Sequence, residues 1–157
     1  RAVQDWAKEN NITKDNFWLD DSNMQELNNY IEEIVSRVHI YLKAFNSIAM
    51  DRYNAGLIPI YNAGFVNPNR QYLTVGINGG VEAAEFLGCK ISVEDTHYET
   101  FINNVLSTIH ALNVVDKTED CMFNTEFVPS LLCGYVKSNL IDLELFMRQQ
   151  GASVMVA

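Results

Sequence analysis

The stretch that decides the fold is residues 71–88, Q-Y-L-T-V-G-I-N-G-G-V-E-A-A-E-F-L-G. Its first part, Tyr72–Ile77, is rich in Val, Ile and Thr, as is typical of a β-strand. Glycines then surround Asn78, and residues 81–87 have helical character and end at Gly88. The turn matches neither of the nucleotide-binding motifs G-x-G-x-x-G and G-x-x-x-x-G-K-[ST]. Its glycines are therefore interpreted as residues that allow the backbone to make a tight turn. The stretch predicts a strand, a glycine turn and a helix.

Upstream, residues 24–48 carry an apolar residue at every third or fourth position, which predicts one long amphipathic helix. The apolar positions are Met24, Leu27, Ile31, Ile34, Val38, Tyr41, Phe45 and Ile48. Ser22 followed by Gln25 has the form of a capping box, and Gly56 and Pro59 supply the stop signals. The seam is compatible with a coiled coil, but further apolar residues beside it widen the stripe and favour packing against a globular core.

Downstream, Ser92 with Asp95 forms a second capping pattern that opens a helix over residues 98–112. Residues 121–128 then form a β-type run that ends before Pro129, because proline cannot donate to a strand ladder. Helices that alternate with strands predict an α/β layer or barrel. Since only a few strands are present for so many helical residues, we expect the sheet to be incomplete.

The charge and hydropathy of the chain exclude two classes of partner. Lys and Arg total 11 against 20 Asp and Glu, with a net charge of -9, and the basic residues are scattered singly, which argues against nucleic-acid binding. No apolar run approaches the roughly 20 residues that cross a bilayer, and residues 1–11 lack the apolar core of a signal peptide. We therefore expect a cytoplasmic protein without membrane contact. The first residue, Arg1, suggests a piece of something longer.

The cysteines and histidines show no spacing that predicts a metal site. Cys89, Cys121 and Cys133 are widely separated and contain no C-x-x-C, so buried thiols are expected instead of disulfides or a zinc site. The three histidines lie on helical segments without H-E-x-x-H spacing, so surface or packing roles are expected for them.

The segment F-N-T-E-F-V-P at residues 123–129 presents a polar pair at the end of a strand. In an extended strand Asn124 and Glu126 point to one face, while the odd-numbered residues point to the other. Beyond Pro129, Ser130 is placed to cap a turn whose free N–H groups would suit a phosphate. The competing interpretation is an ordinary solvated strand face.

Four blocks of this sequence together resemble class III, anaerobic ribonucleotide reductases, which are glycyl radical enzymes. The blocks are G-L-I-P-I-Y at residues 56–61, Q-Y-L-T-V-G-I-N-G at 71–79, E-A-A-E-F-L-G at 82–88 and F-N-T-E-F-V-P at 123–129. They occur in the family's order and at similar separations. The resemblance covers the chain from the long helix to Pro129.

The resemblance implies a ten-stranded α/β barrel, of which this chain would form an incomplete half-barrel with long outer helices. Residues 1–129 would belong to the barrel domain, and residues 130–157 would be a divergent tail. The family reduces ribonucleoside triphosphates to deoxyribonucleoside triphosphates for DNA synthesis. The strand bearing Asn124 and Glu126 and the loop at Pro129 and Ser130 would contact substrate. No catalytic residue and no metal ligand is assigned within the chain.

The family's cofactors and partners follow from the same resemblance. Its members carry a glycyl radical near the carboxy terminus, a thiyl radical on a loop inside the barrel, a zinc site and sites for ATP and deoxynucleotide effectors. A radical-SAM enzyme activates them, and the parent is expected to be a homodimer. None of these sites falls in the matched blocks, so we expect no cofactor in this chain and no activity from the chain alone.

The resemblance weakens after Pro129. The family continues with A-E-N-L-G, whereas this chain has S-L-L-C-G at residues 130–134, so two leucines replace the expected acid and amide. Two alternatives therefore stand beside the reductase. One is a non-catalytic helical interaction or scaffold protein built on residues 24–48, and the other is a piece of a glycyl radical enzyme of the pyruvate formate-lyase type. The block at residues 123–129 favours the reductase over the latter.

Overall fold

The computed structural model of the protein describes residues 1–92 and 94–127. The helices are α1 (Ala2–Glu9), α2 (Asp21–Asn54), α3 (Pro59–Asn62), α4 (Gly80–Phe86) and α5 (Thr96–Val115), and the strands are β1 (Tyr72–Ile77) and β2 (Met122–Phe127). Short 3-10 turns occupy Phe17–Leu19 and Pro68–Arg70. The predictions made for Pro129, Ser130, Cys133 and the tail at residues 130–157 lie outside the described residues.

The two strands pair in parallel, with Tyr72 opposite Met122 and Ile77 opposite Phe127. Parallel neighbours need a crossover connection, which α4 and α5 supply here. Helix α2 packs against α5 and β1, and α5 packs against β2. The strand, glycine turn and helix predicted for residues 71–88 are confirmed, and the second predicted strand is confirmed at Met122–Phe127.

The α/β class is confirmed, whereas the residues that the structure describes do not establish the incomplete half-barrel that the resemblance implies. They contain two paired strands with helices on one face. A barrel requires enough strands for the sheet to curve back on itself. The described residues therefore form one helix layer on a small parallel sheet, whose other face is open.

Two groups of buried side chains hold these elements together. The larger lies among α1, the turn at Phe17, the first half of α2, α4 and α5, and consists of Trp6, Ala7, Phe17, Leu27, Ala84, Leu87, Cys89, Phe101 and Ile102. The smaller joins α2 and α5 to the sheet through Val35, Val75 and Ile109. Burial of each large apolar side chain contributes about 1.5–3 kcal/mol. These side chains thus hold the helix layer against one face of the sheet.

The apolar seam predicted along α2 is covered over only part of its length. Leu27 of the seam is buried, as is Val35 beside it, but Tyr41, Phe45 and Ile48 are 72%, 68% and 53% exposed. The second half of the helix meets the core through neighbouring positions instead: Leu42 packs against the smaller group of buried side chains, and Asn46 Nδ2 donates to the Asp120 carbonyl at 3.4 Å. Tyr41, Phe45 and Ile48 therefore lie on the side of the helix turned away from these contacts. Within residues 1–92 and 94–127, no helix has both the length and the apolar character needed to span a bilayer.

Both predicted capping boxes are wrong, because an aspartate caps each helix. The Asp20 carboxylate accepts the Ser22 N–H at 2.9 Å, and α2 begins directly after Asp20. The Asp95 carboxylate accepts the backbone N–H groups of Lys90 and His97 at 2.7 and 2.8 Å. These hydrogen bonds, that from Lys90 first, lower the pKa of Asp95. A carboxylate at the helix N-terminus also meets the positive end of the helix dipole.

Candidate functional site

The two faces of β2 carry different chemistry, as the sequence predicts. On the helix side, the ring of Phe123 stacks on that of His39 with centroids 4.0 Å apart. Thr125 Oγ1 accepts a hydrogen bond from Asn113 Nδ2 of α5 at 2.8 Å. The Phe127 ring lies beside the first residue of α4, Gly80: its Cε1 atom is 3.8 Å from the position that a Cβ on Gly80 would take. The helix layer therefore covers the odd-numbered residues of the strand.

The opposite face of β2, which we call the open face, carries Asn124 and Glu126. Asn124 Nδ2 donates a hydrogen bond to Glu126 Oε1 at 2.9 Å, so the two side chains lie on the same side of the strand. In the parallel register Thr74 lies opposite Asn124 and Gly76 lies opposite Glu126. Glycine projects no side chain there, which leaves space beside the exposed Glu126 carboxylate. The open face thus offers a hydroxyl, an amide and a carboxylate.

One polar atom of the open face lacks a hydrogen-bond partner in the part of the chain that the structure describes. Asn124 Oδ1 is buried, and no donor among the described residues reaches it. A buried acceptor left without a hydrogen bond costs about 1–3 kcal/mol, so such atoms usually have a partner in the functional protein. A neighbouring strand, an ordered water or a bound molecule would each provide such a partner.

The carboxyl ends of β1 and β2 lie at the same edge of the sheet, because the strands are parallel. In open α/β sheets this edge is where ligands bind. Gly79, with a φ of 73°, turns the chain from β1 into α4, a backbone conformation that favours glycine. Pro129 and Ser130 come after β2 in the sequence and lie outside the described residues, so their phosphate-binding role stays a prediction.

The described cysteines are buried, as expected. Cys89 is 6% exposed and Cys121 is 9% exposed. Burial, with a smaller contribution from the charge of Asp95, raises the pKa of the Cys89 thiol to about 11. A thiol with this pKa stays protonated near neutral pH, and it is the thiolate that reacts. Cys89 is therefore a packing residue.

Two of the three histidines pack against other side chains and His110 is exposed, in line with the surface or packing roles expected for them. His97 stacks on Trp18 with ring centroids 4.2 Å apart. His39 is buried on α2, and Asp116 and Asn113 both lie within hydrogen-bonding distance of its ring. Sequence reasoning gave His39 no specific partner. Its helical spacing from Val35 is the signal that places it on the buried face.

A separate cavity of about 250 Å³ opens between the first turns of α2 and the start of α5. Its lining consists of Phe17, Trp18, Asp20, Asp21, Met24, Gln25, Asn28, Thr100 and Asn104. None of these residues belongs to β1 or β2, so the cavity is distinct from the open face of the sheet.

Comparison with solved structures finds this arrangement in anaerobic ribonucleotide reductases, whereas no family model and no curated protein matches the chain. One such reductase is 28% identical over 66% of this chain and 18% of its own, with a TM-score of 0.60. The Thermotoga maritima enzyme in complex with dATP and CTP gives the same values. With dATP bound in the specificity site it gives 26% identity, 83% and 23% coverage, and a TM-score of 0.62.

The described residues thus form an α/β segment of the kind found in ribonucleotide reductases. Their structural neighbours are the anaerobic, class III enzymes, so the resemblance predicted from the four sequence blocks is confirmed. The chain spans about a fifth of the length of the reductase chains it matches.

Proposed function

We propose that this chain is a section of the barrel of an anaerobic ribonucleotide reductase, in which the open face of β1 and β2 forms part of the substrate wall. The parent enzyme would reduce ribonucleoside triphosphates to deoxyribonucleoside triphosphates. The structural likeness to these reductases supports the parent assignment. The four sequence blocks, in the family's order, support the same assignment without reference to the structure.

The observation that carries the substrate role is the polar pair on the face turned away from the helices. In an α/β barrel the helices cover the outside of the strands, so the other face points into the interior. The pair provides the exposed Glu126 carboxylate, which accepts hydrogen bonds, with the Asn124 amide bonded beside it. Ribose hydroxyls are donors of the matching kind. Asn124 and Glu126 would therefore hold the sugar, with Pro129 and Ser130 nearer its phosphates.

The cofactors and partners of the parent enter as part of the same proposal. A cytoplasmic parent of this class would carry a glycyl radical, a zinc site and sites for ATP and deoxynucleotide effectors. The parent would be a homodimer, and a radical-SAM enzyme would activate it. Among the described residues, no group of three or more His, Cys, Asp or Glu side chains is placed to share a metal ion. We assign to this chain's own residues the binding and orienting of the ribonucleotide.

A helical interaction or scaffold protein is the second candidate, and the second half of α2 favours it. Tyr41, Phe45 and Ile48 recur at helical spacing and remain largely exposed. An apolar face of this kind marks an interaction surface. A section of a barrel would expose the same apolar face of α2 if other parts of the barrel cover that face in the parent enzyme. The exposed face of α2 is therefore compatible with both candidates, and the polar open face of the sheet is what favours the reductase.

The test is a crystal structure of the complete protein that carries this segment, with a ribonucleoside triphosphate bound. We expect a ribose oxygen within about 3.2 Å of a polar atom of Asn124 or Glu126, the upper range of a protein hydrogen bond. Asn124→Leu, which removes the amide at similar size, should weaken nucleotide binding. A nucleotide bound elsewhere, with Glu126 in bulk solvent, would refute the proposed role.

A further inference from the structure

Two polar side chains lie in the otherwise apolar interior of the described residues. His39 is 1% exposed and Asn113 is 6% exposed, and they are the buried polar or charged residues of the described ranges. Burial of a polar group is unfavourable unless it is hydrogen-bonded, so their presence calls for a physical reason. They lie 74 positions apart in the sequence and meet between α2 and α5.

These two residues belong to a continuous chain of hydrogen bonds that ends on β2. His39 Nδ1 lies 2.7 Å from Asp116 Oδ2, just after α5, and His39 Nε2 lies 2.9 Å from Asn113 Oδ1. Asn113 Nδ2 then donates to Thr125 Oγ1 at 2.8 Å. The ring of Phe123 stacks on His39, so β2 meets this network at two successive helix-facing positions. The network connects the outer helices directly to the strand that bears the candidate site.

Apolar packing is an incomplete constraint on the position of this strand along the sheet. A slip of one residue would turn Phe123 and Phe127 to the open face, and the loss of apolar burial opposes it. A slip of two residues keeps the alternation, because Phe123, Thr125 and Phe127 share a face, although Cys121 or Thr125 would then replace Phe123 against His39. Such a slip would bring a phenylalanine to Asn113 in place of Thr125. The buried amide would then lose its partner, which is costly in an apolar interior.

We propose that His39, Asn113 and Thr125 are positioning residues that set the register of β2, and thereby select which polar side chains stand on the open face. Buried polar groups fix register in this way in other folds, at some expense in stability. In the native register Asn124 lies opposite Thr74 and Glu126 lies opposite Gly76. The register itself is independent of any ligand. Its importance for the ribonucleotide rests on the proposed function.

The first test uses the full 157-residue chain and nuclear magnetic resonance contacts between the strands. Thr125→Val keeps the shape of the side chain and leaves Asn113 without its acceptor. We expect the ratio of folded to unfolded protein to fall at least about fivefold, and a second set of β2 signals with contacts shifted by two residues to appear. Thr125→Ser, which keeps the hydroxyl, should retain a single register. Thr74→Val, the same change on the open face, is the matched control and should also retain one register.

The second test separates choice of register from stability. In the triple variant His39→Phe, Asn113→Leu and Thr125→Val, apolar groups replace the whole network, a change that often preserves or increases stability. We expect a folded chain whose β2 occupies more than one register. A triple variant that folds in the single native register, or that fails to fold, would overturn the proposal. A native register whose open face binds no ribonucleotide in the complete protein would instead refute the proposed function alone.

Discussion

The purified 157-residue chain is expected to form no deoxyribonucleotide when it is incubated with a ribonucleoside triphosphate and the activating enzyme of a class III reductase. The chain spans 18% to 23% of the reductase chains it matches. The resemblance places the glycyl radical and the thiyl loop outside the matched blocks. Enzymes accelerate such reactions by at least about a millionfold, so without the radical site the expected loss is complete.

Chromatographic separation of the nucleotides after incubation measures this directly. The complete Thermotoga maritima reductase, with its own activating enzyme, is the positive control for the assay. Deoxynucleotide above the amount formed without the chain would contradict the expectation, because it would require a radical site within these residues.

In the complete reductase that carries this segment, Glu126→Gln is expected to lower kcat by about 100-fold or more, a typical loss when one charged contact to the reacting substrate is removed. The substitution keeps the size and shape of the side chain and removes mainly its charge. The Glu126 carboxylate is exposed on the open face and accepts one hydrogen bond, from Asn124. We therefore expect the melting temperature to change by less than about 2 °C.

Glu119→Gln is the matched control, because Glu119 is an exposed glutamate in the connection before β2. It should leave both kcat and the melting temperature unchanged. If Glu126→Gln retains wild-type turnover, or if both substitutions lower it equally, the assignment of Glu126 to the substrate wall is wrong.

Short-range periodicity made much of this fold predictable from the sequence. The two-residue alternation of residues 123–127 predicted which side chains face the helices, and the contacts of Phe123 and Thr125 confirm it. The glycines around Asn78 predicted the turn between β1 and α4. These signals are reliable because side-chain direction follows directly from the backbone conformation.

The features that the sequence did not predict depend on residues that are far apart in the sequence, or on neighbouring residues that could each cap the same helix. The hydrogen bond between His39 and Asp116 joins positions 77 apart, so no local pattern encodes it. The helix caps were misassigned because Asp20 and Asp95 lie near serines that fit the same capping pattern. The exposure of Phe45 likewise depends on which side of α2 packs against the rest of the fold, and the apolar periodicity alone does not report that side.

The most direct test of the central claim is the DNA sequence on both sides of the segment that encodes this chain. If the chain is a section of an anaerobic ribonucleotide reductase, an upstream reading frame should encode the rest of the barrel with the cysteine of its inner loop. A downstream frame, the same or shifted, should encode the glycyl-radical motif R-V-x-G-Y. Flanking DNA that encodes neither the cysteine loop nor this motif in any frame would contradict the account.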